Sequence, residues 1–148
     1  MKQSLAGVRN LTCYRVIYGD TDRMGVVYYG NYLRWFESGR SEFLRQIGMP
    51  YASVEERGIH FPVTEILCRY LKPARYDDLI SIETQLASIA RATLTFSYRI
   101  LKAEDESLLA LGSTKHACVD GRGRVVRIPA DLGKLLGAVI APTDTPPG

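Results

Sequence analysis

Asn31-Tyr32-Leu33-Arg34-Trp35-Phe36-Glu37-Ser38-Gly39-Arg40-Ser41-Glu42-Phe43-Leu44-Arg45-Gln46-Ile47, followed by Gly48-Met49-Pro50, is the stretch from which the fold can be read. Tyr32, Phe36, Gly39, Phe43 and Ile47 recur at helical spacing on one face, and Arg34, Glu37, Ser41 and Arg45 occupy the other. The pattern predicts an amphipathic helix from about Asn31 to Ile47, laid on something apolar. Asn31 is suited to cap its start by accepting a bond from a free backbone N–H. Gly48 suits the left-handed residue that closes a helix, and Pro50 prevents continuation. Gly39 on the apolar face costs about 1 kcal/mol of helix propensity relative to Ala. A close backbone approach to a sheet would justify it.

Downstream the apolar period changes from helical to two. Ile80, Ile82, Thr84 and Leu86 alternate with Ser81, Glu83 and Gln85, and Leu94, Phe96, Tyr98 and Ile100 alternate with Thr95, Ser97 and Arg99. The runs 61–71 and 108–119 are also rich in strand formers. The intervening segments 87–91 and 103–107 are short, which favours antiparallel hairpins over crossovers. Upstream, a first strand is expected over Thr12–Tyr18, and Pro129 introduces a short terminal helix near Ala130–Leu136. One long helix against a mostly antiparallel sheet is an α+β architecture.

The chain has 148 residues, 46% of them hydrophobic and 24% charged, which suits one domain over 1–148 with a core at about 12–140. The segments 1–10 and 141–148 lack periodicity and read as loose ends. Interspersed charge and abundant apolar residues exclude disorder as the main state. No run approaches ~18 apolar residues and no signal-peptide core is visible, so the expected address is the cytoplasm. A net charge of +3 suits a small anionic ligand and is no signature of a nucleic-acid binder. Cys13, Cys68 and Cys118 show neither C-x-x-C nor ligand spacing, so reduced and mostly buried thiols are expected, with no disulfide and no metal.

Absences narrow the chemistry further. There is no G-x-S-x-G elbow, and His60 and His116 are the two histidines available as a base. His116 lies in a strand run and reads as a hydrogen-bonded structural residue, whereas His60, just before a strand, could line a pocket. Gly121-Arg122-Gly123-Arg124 begins like a dinucleotide fingerprint but lacks its continuation and reads as a turn.

What remains is Tyr18-Gly19-Asp20-Thr21-Asp22-Arg23-Met24-Gly25-Val26-Val27-Tyr28-Tyr29-Gly30-Asn31-Tyr32. Two carboxylates lie in the loop before the helix, and Asp22 is close enough in sequence to sit beside its first turn. Free N–H groups and partial positive charge at that turn can polarise a carbonyl or hold an oxyanion. A carboxylate, amide donors and aromatic walls suffice for water attack on an activated acyl group. Spacing alone equally allows Asp20 and Asp22 to make turn bonds only.

The motifs Asp20-Thr21-Asp22, Gly25-Val26-Val27-Tyr28, Asn31-Tyr32, Glu42-Phe43-Leu44-Arg45, and Tyr70 with Lys72-Pro73-Ala74-Arg75 and Asp77-Asp78 carry a resemblance. From roughly Tyr14 to Pro129 the chain resembles the hotdog-fold acyl-CoA thioesterases, in the 4-hydroxybenzoyl-CoA thioesterase group that includes the YbgC-like enzymes. The resemblance implies a long central helix wrapped by a five-stranded, mostly antiparallel sheet. It implies hydrolysis of an acyl-CoA to free acid and coenzyme A, with Asp22 as nucleophile or general base and the Tyr29 backbone amide as carbonyl polariser. YbgC-like members often carry His where this chain has Tyr29. Gly25, Val27, Tyr28, Tyr32, Trp35 and His60 are candidate substrate contacts, with Lys72, Arg75 and Arg91 candidates for the nucleotide phosphates. The implied assembly is a homodimer joined sheet edge to sheet edge and paired again as a homotetramer, needing no cofactor beyond the substrate's coenzyme A. Two alternatives are a thioesterase for acyl carrier protein and a non-catalytic hotdog protein that binds acyl ligands.

Overall fold

The computed structural model describes residues 7–142. Five strands, β1 (Asn10–Arg15), β2 (Val63–Tyr70), β3 (Leu79–Ile89), β4 (Thr93–Lys102) and β5 (Leu108–Ala117), form one sheet in the order β1-β3-β4-β5-β2. Every neighbouring pair is antiparallel. Helix α1 (Asn31–Gln46) packs on the sheet, followed by the short α2 (Tyr51–Glu56), and α3 (Ala130–Val139) ends the described fold. The α+β architecture and the wrapped helix are as expected, with a helix of 16 residues.

α1 buries Tyr32, Trp35, Phe36, Gly39, Phe43 and Leu44. The sheet meets it with Ile80, Ile82, Thr84 and Leu86 of β3 and Leu94, Phe96, Tyr98 and Ile100 of β4, all buried. Each large apolar side chain buried this way contributes roughly 1.5–3 kcal/mol. The expected close approach at Gly39 is found: a Cβ there would overlap Thr84 Oγ1 and lie 2.8 Å from Ile82 Cγ2. Gly112 of β5 supplies a second gap, which the Phe36 ring fills while stacking on Tyr98 with centroids 4.3 Å apart.

Several boundaries differ from expectation for local reasons. β1 runs over Asn10–Arg15; the Val16 N–H still donates to the Asp78 carbonyl at 2.9 Å in register with the β1–β3 ladder, and a 3-10 turn follows at Tyr18–Asp20. Asn10 is therefore buried in a strand, its amide donating to Gln46 Oε1 at 2.7 Å, and is no part of a loose end. The remaining expectation of loose ends falls mostly on 1–6 and 143–148, outside the described residues. β2 begins at Val63, after Pro62, which has no N–H to donate. Of the three thiols, Cys118 is buried, Cys68 is half-buried and Cys13 is exposed, so mostly buried was wrong. Among the described residues no helix is long and apolar enough to cross a membrane.

Candidate active site

The loop between β1 and α1 is held by Asp20. This carboxylate is buried, and its Oδ2 accepts from the Tyr14 hydroxyl at 2.6 Å and the Ile17 N–H at 2.9 Å. Burial and the Asp20 hydrogen bond push the Tyr14 hydroxyl up to about 12, so it stays a donor at neutral pH. The Asp20 carbonyl accepts from the Tyr28 N–H and from the Asn31 side-chain amide, each at 2.9 Å. Asn31 is thus the first residue of α1 rather than its cap. Its side chain donates backwards to the loop, where the sequence suggested that it accepts from the helix.

Asp22, two residues on, is bound differently. Its backbone closes a tight turn, with Asp22 N–H donating to Val26 and Gly25 N–H donating to Asp22 at 2.9 and 3.0 Å. Gly25 takes φ +79° there, a conformation that L side chains rarely adopt. Asp22 Oδ1 accepts from the Met24 N–H at 2.8 Å, and Oδ2 has no partner among the described residues. The side chain lines an open pocket of about 350 Å³ with Val27, Tyr29, Tyr32, Tyr70 and Lys72.

The start of α1 adjoins the same pocket through Tyr29 and Tyr32. Asn31, Tyr32 and Leu33 N–H groups are used by the carbonyls of Tyr28, Tyr29 and Gly30. No acceptor among the described residues meets the N–H of Tyr29 or Gly30, and no side chain caps the helix. These groups sit at the positive end of the helix dipole and can accept an anion or a polarised carbonyl oxygen. The Tyr70 hydroxyl donates to the Tyr29 carbonyl at 2.8 Å, fixing the peptide that carries the Gly30 N–H. Burial and the neighbouring Cys68 thiol push the Tyr70 hydroxyl well above its ordinary range, so this donor persists. Tyr70 also meets the buried Tyr32 ring edge-on at 4.9 Å.

Of the residues singled out from sequence, the structure brings Asp22, Val27, Tyr29, Tyr32 and Lys72 to one pocket. Tyr28 is not in the pocket lining but packs its ring against Tyr29 at a tilt of 38°, with centroids 4.5 Å apart. Gly25 shapes the Asp22 turn without lining the pocket. Trp35 is buried between Tyr14 and Tyr32. His60 lies elsewhere, with its ring 3.2 Å from Glu55 and its backbone paired to Val119. Arg91 is exposed in the β3–β4 turn, and Arg75, also exposed, donates its N–H to Asp78. His116 is buried between Phe61 and Thr114, as a structural histidine should be. Sequence reasoning missed Met24, Val26, Leu71, Pro73 and the role of Tyr70. Tyr70 opens the last of the motifs quoted above as carrying the resemblance, which was the available signal.

Comparison with known proteins agrees with the fold. The pattern of the thioesterase-like superfamily matches residues 16–136. The chain is 35% identical over 120 residues to the acyl-CoA thioesterase YbgC of Haemophilus influenzae, covering 80% of this chain and 87% of that protein. The crystal structure of a hypothetical protein from Thermus thermophilus superposes with a TM-score of 0.83 at 36% identity, covering 89% of this chain and 98% of that one. A DHNA-CoA thioesterase from Staphylococcus aureus superposes at 0.81 with 29% identity, covering 88% and 90%. With a hotdog sheet wrapped on α1 and a match over most of its length, the chain belongs to the thioesterase-like superfamily.

Proposed function

We propose that this protein is an acyl-CoA thioesterase in which Asp22 and the start of α1 act on the thioester carbonyl. The observation that carries the reading is the meeting, in one pocket, of a carboxylate whose Oδ2 has no partner among the described residues and Tyr29 at the start of α1, where the Tyr29 and Gly30 N–H groups have no acceptor among the described residues. The carbonyl oxygen accepts from the Tyr29 and Gly30 N–H groups, which stabilise the charge that develops as the carbon becomes tetrahedral. Asp22 then has two routes. As nucleophile it bonds to the carbonyl carbon, the C–S bond breaks, the thiolate leaves and takes a proton, and water hydrolyses the resulting anhydride. As general base it takes a proton from the water that attacks, the tetrahedral carbon then breaks its C–S bond, and the leaving thiolate takes a proton. Neither route uses a cofactor beyond the coenzyme A of the substrate. Lys72 at the pocket rim, with Arg75 and Arg91, supplies positive charge for the nucleotide phosphates.

The sheet edge supports an assembly. Among the described residues β2 pairs with β5 on one side only, and its Ile66 and Leu67 side chains are 50% and 59% exposed, with Val63 and Tyr70 also open. An apolar, unpaired edge strand is a liability unless covered. We assign this edge to a two-fold pairing with the β2 of a second copy, with a further pairing of dimers into a tetramer.

Free-thiol release from a panel of acyl-CoAs, with acyl carrier protein thioesters alongside, tests the activity. Turnover of acyl-CoA is expected; binding without thiol release would leave a non-catalytic acyl-binding protein. Light scattering at micromolar concentration tests the assembly, and a monomer there overturns the edge pairing.

A further inference from the structure

A second cavity, of about 290 Å³, lies along the other half of α1 and is walled by Leu44, Met49, Phe61, Val63, Leu94 and Phe96. That volume is at the small end of the roughly 300–1,000 Å³ usual for ligand sites. Three polar groups reach it besides Glu37 and Ser41 at its helical side: His116, Tyr51 and Arg40. His116 has both ring nitrogens engaged, with Phe61 O at 2.9 Å and Thr114 Oγ1 at 2.8 Å. The Tyr51 oxygen accepts from the Phe61 N–H. Arg40 is different: its side chain is only 18% exposed, yet its one ion pair among the described residues is a 3.9 Å contact with Glu37, whose own side chain is 73% exposed. Beyond that it reaches the Tyr98 hydroxyl, which pairs with Thr114 at 2.6 Å and can accept one guanidinium N–H, leaving most of the five donors without an acceptor among the described residues. A guanidinium offers five N–H donors in a fork that matches a carboxylate, and burying one with so little compensation is unfavourable.

We propose that this cavity takes the far end of an acyl chain tipped with a carboxylate, and that Arg40 pairs with it and selects acidic acyl groups. The proposal rests on the thioesterase reading and names its substrate class. Access follows from the β2 edge pairing. The cavity wall includes Val63 at the beginning of β2, whereas the Asp22 pocket includes Tyr70 at its end. Antiparallel pairing about the middle of the strand sets one beginning beside the other end. The mouth of the cavity in one copy thereby adjoins the Asp22 pocket of the second.

The test compares kcat/KM for acyl-CoAs of matched chain length ending in methyl or in carboxylate. Wild type should favour the carboxylate by about tenfold or more, the scale of a charge-assisted bidentate pair. Arg40→Leu should lose that preference while keeping turnover of the methyl-ended substrate, and Arg40→Lys should retain part of it. Wild-type turnover without the preference overturns this proposal alone, whereas no turnover of either substrate overturns the thioesterase reading with it. An equal loss on both substrates in Arg40→Leu and Arg40→Lys, with a lowered Tm, makes Arg40 a structural residue and also overturns it.

Discussion

The two ends of α1 are closed by opposite means. At its C-terminal end Gly48 takes φ +83°, the Met49 N–H donates to Leu44 at 2.8 Å, and Ile47 N–H donates to Phe43 at 3.2 Å. Carbonyls that would be left open are used within the chain, and Pro50 stops the helix. At the N-terminal end the cap position is Gly30 in helical conformation, and no side chain accepts from the first turn. Asn31, which could have served, spends its amide on the Asp20 carbonyl instead. The finished end is exposed at Arg45, Gln46 and Gly48, and the unfinished end adjoins the Asp22 pocket through Tyr29 and Tyr32. In the proposed reaction this open end is where the thioester carbonyl oxygen would complete the bonding.

The largest expected effect lies at the unfinished end. Asp22→Asn keeps the size of the side chain and removes its charge and basicity. Loss of the general base or nucleophile belongs to the transition state, so kcat should fall by about 10²–10⁴ with KM little changed. Retention of turnover within about threefold in a folded variant would falsify the role of Asp22. Asp20→Asn is the paired measurement. Its carboxylate accepts from Tyr14 and Ile17, and hydrogen bonds to charged groups contribute about 1.5–3 kcal/mol each, part of which Asn retains. Denaturant unfolding should show a loss of about 1–3 kcal/mol, larger than that of Asp22→Asn. If the kcat loss follows Asp20 instead, the two carboxylates have exchanged roles.

The finished end should respond in stability alone. Gly48→Ala places a Cβ on a left-handed residue with open space around it, so the cost is conformational, about 1–2 kcal/mol. Thermal unfolding should register that loss while kcat stays at the wild-type value. A fall in kcat comparable with that of a variant at the N-terminal end would erase the distinction between the ends.

Much of the fold was legible because its signals are local. The 3.6 and 2 periods located α1, β3 and β4, and Gly48 with Pro50 marked the helix exit. Gly39 was legible as a close approach because a glycine on a buried face needs a reason, and Thr84 with Ile82 is the reason. Gly112 was not, since a glycine in a strand run says nothing of the Phe36 ring that arrives from a helix far away in sequence. The site divides in the same manner. Asp22, Tyr29 and Tyr32 share one segment and could be read together, but Tyr70 joins them from 41 residues beyond Tyr29. His60 precedes a strand in sequence, yet its pairing with Val119 and contact with Glu55 hold it away from the Asp22 pocket. Asn31 was misread because capping propensity describes a helix in isolation, and here the side chain had a competing acceptor in Asp20.

That competing bond gives the finest test of the comparison. Asn31→Ala removes the 2.9 Å bond to the Asp20 carbonyl, a loss of about 0.5–1.5 kcal/mol. Ala in place of Asn returns up to about 0.7 kcal/mol of helix propensity. The two nearly offset, so Tm should move by only a few degrees. Activity has no such compensation: the amide of Asn31 ties the first turn of α1 to the loop that carries Asp22, and their relative placement sets the geometry of attack. A loss of about 1 kcal/mol in transition-state stabilisation, roughly fivefold in kcat, is expected with KM near wild type. Asn31→Asp sharpens the result. At an ordinary helix start that substitution stabilises by about 0.3–1 kcal/mol through the dipole. Here it sets a negative charge beside the Tyr29 and Gly30 N–H groups, where the oxyanion would form, so kcat should fall further than in the Ala variant. Equal kcat in wild type and Asn31→Asp would mean that the open end of α1 holds no developing charge, and the two ends would differ in geometry only.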